Sequence, residues 1–154
     1  MGELIHTSHI RLEKIKGPIR HAYIENFKEP VRYGVHGAIK KFYGVEPEEE
    51  VPATLDHMIA AIGGRLLGTL AGALEVRQIP SEPGKVRAMV EGDIEAVDRV
   101  LRITTIRVRY ELRIPQGKRE AAERALATYE QKCPAATSVR GCIAIQTTAD
   151  IVEE

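Results

Sequence analysis

The stretch that decides the fold is Thr54–Glu75, which reads TLDHMIAAIGGRLLGTLAGALE. Its apolar residues and glycines continue over about six helical turns, which is typical of a helix inside a core. A single charge, Arg65, interrupts the apolar run of residues 58–74. A guanidinium that loses its water without gaining partners costs several kcal/mol. The sequence therefore predicts a buried central helix in which Arg65 is paired or faces a cavity.

Small residues recur at four-residue spacing along this helix, at Ala60, Gly64, Gly68 and Gly72. Because a glycine in a helix interior costs about 1 kcal/mol relative to alanine, the row predicts that another backbone packs closely against it. A membrane span is a poorer interpretation, since a central arginine opposes insertion by about 2.5 to 3.5 kcal/mol. We expect a water-surrounded protein with no membrane partner.

The helix has a recognisable beginning. An acidic, proline-bounded loop at residues 47–52 precedes it. Thr54 is predicted to be the N-cap, and Asp56 in the first turn suits the positive end of the helix dipole.

Composition favours one domain over residues 1–154, with an N-terminal strand region (1–50), the central helix (54–75) and a C-terminal β-β-β-α-β half (76–154). Twenty-two basic residues balance 22 acidic ones, so the chain lacks the field that holds nucleic acid. A small-molecule ligand is a better expectation. Two cysteines and no secretory segment predict free thiols and a cytoplasmic location. His6 and His9 would lie on opposite faces of a strand, and no metal or cofactor is expected.

Several strands can be predicted from alternation. A meander is expected at residues 4–15, 19–24 and 31–35, and a hairpin is expected between residues 73–79 and 86–92 around the turn-forming Pro80–Gly84 string. Residues 105–114 alternate between an apolar face and an arginine-bearing face, which we interpret as solvated. The last strand, residues 142–146, starts apolar on both faces and is predicted to be an inner strand with Cys142 in the core.

Residues 118–132 have the period of an amphipathic helix, whose inner face continues to Cys133. Pro134 favours the first turn of a further short helix over residues 135–139, because its missing N–H is not needed there. The thiol of Cys133 is therefore predicted to point inward at the beginning of that helix.

Three segments together resemble the OsmC-like family of organic hydroperoxide resistance proteins: AAIGGRLLGTL (residues 60–70), the strand at 106–114 and YEQKCPAATSVRG (residues 129–141). The similarity extends over about residues 50–154. It implies an α/β (α+β) fold of antiparallel sheets with a long central helix, made as an intertwined homodimer with two sites at the subunit interface. It also implies thiol peroxidase chemistry, in which one cysteine attacks an organic hydroperoxide and a second resolves the product as a disulfide.

In this resemblance Cys133 stands at the second-cysteine position, but Arg65 occupies the first, peroxidatic position. A guanidinium cannot attack a peroxide, so the two-cysteine mechanism cannot operate. Asp56 falls near the family's acidic position, whereas Arg20 matches the activating arginine poorly. We hypothesise that Arg65 lies beside Cys133 and favours its thiolate. Alternatively, Cys133 is an inert core thiol, and Arg65 pairs with Asp56 or with an acidic residue of a partner subunit.

His57 is the remaining candidate, either as a proton carrier lining the same pocket or as a structural histidine. Three functions stay open. The chain binds a small hydrophobic or electrophilic ligand at a dimer-interface pocket, or it is a one-cysteine peroxidase that uses Cys133, or it is a non-catalytic structural or regulatory dimer.

Overall fold

The computed structural model describes residues 2–154, which form two compact units that divide between His57 and Met58. The boundary falls inside the central helix, so the first turn of that helix belongs to the first unit. The single domain expected from the sequence stays a prediction.

The first unit is built on a three-stranded antiparallel sheet, in the order β1-β2-β3, which confirms the predicted meander. The strands are shorter than expected: β1 is Ile10–Lys14, β2 is Arg20–Ile24 and β3 is Val31–Tyr33. A helix that was not predicted, α1 (Gly37–Tyr43), follows and ends at Gly44, whose φ of 65° is the left-handed conformation that glycine tolerates.

The central helix, α2, begins and ends where the sequence predicts, at Thr54–Glu75. Its cap differs from the expectation. The carboxylate Oδ2 of Asp56 accepts the backbone N–H of Ala53 at 2.8 Å, which satisfies a donor at the helix N-terminus. The hydroxyl of Thr54 instead accepts a hydrogen bond from Arg20 Nη2 at 2.9 Å. Thr54 was therefore wrong as the capping side chain, although the helix boundary was right.

In the second unit, a long hairpin joins β4 (Val86–Val97) to β5 (Val100–Ile114). The turn is made by Asp98 and Arg99, whose φ values are 51° and 67°. Two successive residues with positive φ are typical of the two-residue turn that matches strand twist. The hairpin predicted at residues 73–79 was wrong, because α2 continues to Glu75 and residues 73–79 form no strand.

The inner face of this hairpin packs against α2. A side chain at Gly63 would collide with Val90 of β4, and a side chain at Gly92 would collide with Ile59 of the helix. Both glycines therefore allow a close approach of helix and sheet. The buried residues of α2 within this unit lie along one face: Ile62, Gly63, Leu66, Leu70 and Leu74.

Three helical segments follow the hairpin and lead to the last strand. Helix α3 (Arg119–Thr128), a short 3-10 helix (Tyr129–Lys132) and α4 (Pro134–Val139) precede β6 (Ala144–Glu153). The sheet order is β4-β5-β6, and β6 pairs with β5 in parallel.

Two expectations about the C-terminal half were therefore wrong. The sheets were expected to be antiparallel, but the helical crossover between β5 and β6 brings the chain back in the same direction, so the second sheet is mixed. The last strand is an edge strand rather than an inner one, and the inner strand is β5.

Helix α2 is long and apolar enough to span a membrane by length and composition alone, as are core helices of water-surrounded proteins. Only 33% of its most apolar 18-residue stretch is buried within the chain, so much of the apolar helix is uncovered.

Candidate functional site around Cys133 and Arg65

Cys133 lies in the core at the junction of two helices. It is fully buried, follows the 3-10 helix and is the N-cap of α4, with Pro134 in the first turn. Its Sγ accepts the backbone N–H of Ala136 at 3.5 Å. The inward direction of the thiol and the position of the short helix are confirmed. A hydrogen bond from an N–H group at a helix N-terminus stabilises negative charge on sulfur.

Two buried tyrosines share this region of the core. The hydroxyl of Tyr129 donates a hydrogen bond to the hydroxyl oxygen of Tyr110 at 2.9 Å, and their rings meet edge to face with centroids 5.8 Å apart. Burial raises the pKa of Tyr110 above its ordinary value, and the hydrogen bond with Tyr129 adds to the rise. Burial also raises the pKa of Tyr129. The thiol of Cys133 therefore lies in a part of the core that also holds two neutral tyrosine hydroxyl groups.

Arg65 does not occupy the buried position that the sequence predicts. It lies on the exposed side of α2. Within the described part of the chain its guanidinium forms no ion pair, and neither Asp56 nor Cys133 accepts a hydrogen bond from it. The expected Arg65–Asp56 pair is wrong within one chain, because the Asp56 carboxylate has other partners. Proximity of Arg65 to Cys133 stays a prediction.

The surroundings of Arg65 on α2 are open. Cβ atoms built at Gly64 and Gly72 would meet nothing within 4 Å. One built at Gly68 would meet only Arg65 Nη1, at 3.7 Å. Within residues 2–154, the open sides of Gly64 and Gly72 therefore have no packing partner, in contrast to Gly63 on the buried side.

Asp56 is part of a polar cluster in the first unit. Its Oδ2 lies 2.6 Å from Nε2 of His36 and also accepts the Ala53 N–H. His36 stands immediately before α1, so the pair joins the beginnings of α1 and α2. No role was predicted for His36. The helix that follows His36 could have been predicted from the residues before Gly44. Helices commonly carry lysines in the last turn and a glycine after the end, as this segment does.

His57 makes contacts of the structural kind. Its Nε2 donates to the backbone carbonyl of Arg32 at 2.8 Å, since a carbonyl oxygen only accepts, and its ring packs edge to face on Tyr33. The side chain is partly exposed. These contacts favour the structural interpretation, and a role for His57 in proton transfer stays a prediction.

The other cysteine lies outside the core. Cys142 is exposed, so its predicted burial was wrong, because it precedes β6 in a turn rather than lying within the strand. Both cysteines are free thiols.

The arginines of residues 105–114 face solvent as predicted, and each is paired with a carboxylate. Arg107 binds Asp93 through two hydrogen bonds of 2.7 Å, and Arg109 binds Asp150 at 2.9 Å. Over residues 2–154, no group of three or more histidine, cysteine or acidic side chains has metal-binding geometry.

The sequence model of one protein family, described as OsmC-like protein, matches residues 48–148, which is more than half of the chain. No curated protein matches the sequence. The matched range includes all three segments on which the resemblance was based, residues 60–70, 106–114 and 129–141.

Solved structures share the fold over nearly the whole chain. An OsmC-like protein from Mycoplasma pneumoniae has a TM-score of 0.74 and 14% identity, with 97% of this chain and 99% of that chain covered. The organic hydroperoxide resistance protein OsmC from Legionella pneumophila has a TM-score of 0.72 and 13% identity, with 96% and 99% covered. OhrB from Bacillus subtilis has a TM-score of 0.64 and 13% identity, with 94% and 98% covered. At these identities the likeness concerns the fold, and it confirms the expected mixed α+β architecture.

Proposed function

The chain belongs to the OsmC-like family, and from that premise we propose that it binds a small hydrophobic or electrophilic ligand in a dimer-interface pocket without two-cysteine peroxidase activity. The family is related to organic hydroperoxide resistance proteins. We further propose a cytoplasmic location, for which the two free thiols are the support.

The observation that carries the proposal is the uncovered face of α2 around Arg65. An apolar helix face with open space at Gly64 and Gly72 is a surface that another molecule can approach closely. We propose that a second copy of the chain covers part of this face and leaves a pocket beside Arg65. Concave apolar sites with a few polar groups are the usual form of small-ligand sites.

The loss of two-cysteine chemistry follows from the side chains present. Arg65 stands where the family resemblance implies the first cysteine, and an arginine has no nucleophilic sulfur. Cys142 is an exposed thiol in a turn, while Cys133 is buried, so the chain offers no second thiol in the core to pair with Cys133.

A one-cysteine peroxidase is the second candidate. The observation in its favour is the hydrogen bond from the N–H of Ala136 to Sγ of Cys133, because helix N-termini are among the places where reactive cysteines are found. The complete burial of Cys133 opposes this candidate, since a hydroperoxide would need access to the sulfur.

Turnover of cumene hydroperoxide with a dithiol reductant separates these candidates. We expect no turnover by the wild type or by Cys142→Ser, and a gain of turnover in Arg65→Cys. Turnover by the wild type that is lost in Cys133→Ser and kept in Cys142→Ser would replace the proposal with the one-cysteine mechanism.

Light scattering coupled to size exclusion tests the dimer. We expect twice the chain mass for the wild type and a shift towards the monomer in Gly68→Leu, because a large side chain would obstruct the open face. A monomeric wild type would overturn the interface pocket.

A further inference from the structure

Arg65 is an exposed charge on an apolar helix face. Several other arginines are held by carboxylates: Arg32 binds both carboxylate oxygens of Glu49 at 3.0 and 2.8 Å, and Arg107 binds both of Asp93 at 2.7 Å. In residues 2–154 no acidic side chain forms an ion pair with Arg65. The five donors of its guanidinium are therefore free to bind another molecule.

The guanidinium has a defined place on the helix. Its Nη1 lies 3.7 Å from the position that a Cβ of Gly68 would occupy, so the side chain lies along α2 over that glycine. Acidic residues are absent from the sequence between Asp56 and Glu75, and the rest of residues 58–74 is uncharged. Arg65 is thus one positive charge in the middle of an apolar helix face.

We infer that Arg65 binds the carboxylate of an organic acid whose apolar body lies along the uncovered face of α2. This inference rests on the proposed function and specifies the ligand class. A guanidinium and a carboxylate match in planar, bidentate geometry, and their attraction increases when water is excluded. An apolar surface with one cation favours a monoanion with an apolar body over a phosphate dianion or an uncharged oil, because only the monoanion satisfies both the charge and the apolar contact.

If a second copy of the chain covers this face, Arg65 needs a counter-charge even more. Once water is removed, an unpaired guanidinium is costly, so a ligand carboxylate would be held at each Arg65 of a two-fold dimer. The alternative source of a counter-charge is a carboxylate of the second copy, which the experiment below distinguishes.

Calorimetric titration with decanoate and with decanol compares an acid and an alcohol of equal chain length. We expect decanoate to bind wild type about tenfold or more tightly than decanol, which is the effect of one charge-assisted hydrogen-bonded pair. Arg65→Met should remove this preference and leave decanol binding unchanged. Arg65→Lys should keep part of the preference, since it retains the charge but not the bidentate geometry.

Arg102→Met is the matched control, because Arg102 is also exposed and forms no ion pair among the described residues, but lies on β5. Its preference for decanoate should equal that of the wild type. Equal binding of decanoate and decanol to the wild type would overturn the inference and leave the proposed pocket intact, whereas no binding of either would overturn the proposed function as well. A dimer dissociated by Arg65→Met without ligand would assign the counter-charge to the second copy and overturn the inference.

Discussion

A Cβ atom at Gly63 would lie 2.7 Å from Cγ2 and 3.0 Å from Cγ1 of Val90, so the absence of a side chain at residue 63 lets α2 rest on β4. Valine is stiff at χ1, because its two methyl groups leave it few rotamers. Val90 therefore cannot easily move away from an added methyl group.

Gly63→Ala is expected to destabilise the protein. Overpacking costs about 1 to 3 kcal/mol, and this exceeds the gain of about 0.5 to 1 kcal/mol from replacing a helical glycine. Urea unfolding of the wild type, Gly63→Ala and Gly64→Ala measures the change in the free energy of unfolding at each position. A Cβ atom at Gly64 would meet no neighbouring side chain or element within 4 Å in residues 2–154, so a loss of stability at residue 64 would report contact with a second copy. A Gly63→Ala protein as stable as the wild type would contradict the close packing.

The stability of the first unit should fall in acid. The hydrogen bonds from Arg32 lower the pKa of Glu49 below its ordinary value of 4.5, and those from Lys40 do the same for Glu50. A carboxylate whose pKa is lower in the folded state contributes stability above its unfolded pKa and loses it as the pH falls through the folded value. Stability should thus decrease as the pH falls below about 4.5.

Denaturant unfolding of the wild type and Glu49→Gln between neutral pH and pH about 3 measures this loss. Glu49→Gln should show a smaller change with pH. Glu3→Gln is the control, because Glu3 is exposed and forms no ion pair among the described residues. An unchanged acid dependence in Glu49→Gln would mean that the Arg32–Glu49 pair does not contribute.

Replacing either buried tyrosine should lower the free energy of unfolding by more than half of the loss caused by replacing both. Tyr129→Phe leaves the Tyr110 hydroxyl without its partner, and Tyr110→Phe leaves the Tyr129 hydrogen without its acceptor. Each single change should cost about 1 to 3 kcal/mol, the penalty of an unpaired buried polar group. A double-mutant cycle measures the coupling, and strictly additive costs would show that the 2.9 Å contact carries no interaction energy.

The two thiols should differ sharply in accessibility. Cys142 is exposed and Cys133 is buried, so a thiol reagent should modify one cysteine rapidly and the other only after the protein opens or unfolds. Cys142→Ser should abolish the rapid phase, and Cys133→Ser should leave it. Rapid modification in Cys142→Ser would show that Cys133 is reachable in the folded chain, and would favour the one-cysteine peroxidase.

The central helix was predictable because its signals agree. An acidic first turn, a proline-bounded loop before it and an apolar run interrupted only by Arg65 all indicate Thr54–Glu75, and the structure has those bounds. The β4–β5 hairpin was missed because Asp98 and Arg99 form its turn without glycine or proline. The hairpin was predicted instead around the Pro80–Gly84 string, which has the residues typical of turns.

The site was partly predictable for a similar reason. The inward thiol of Cys133 follows from helical periodicity and from Pro134, which are local signals. Arg65 was expected to be buried because hydropathy describes the composition of a helix and not which of its faces is covered. Whether a second copy covers that face is a property of the assembly, which the pattern of one chain does not specify.

The parallel pairing of β6 with β5 affects how the second unit can be assembled. The β4–β5 hairpin needs only a two-residue turn and can form early, but β6 reaches its place only after α3 and α4 have crossed the sheet. Contacts between distant parts of a chain are slow to form, so the docking of β6 is expected to be a late step of folding. Until then one edge of β5 is unpaired, and this is the interval in which the nascent protein is most exposed to aggregation.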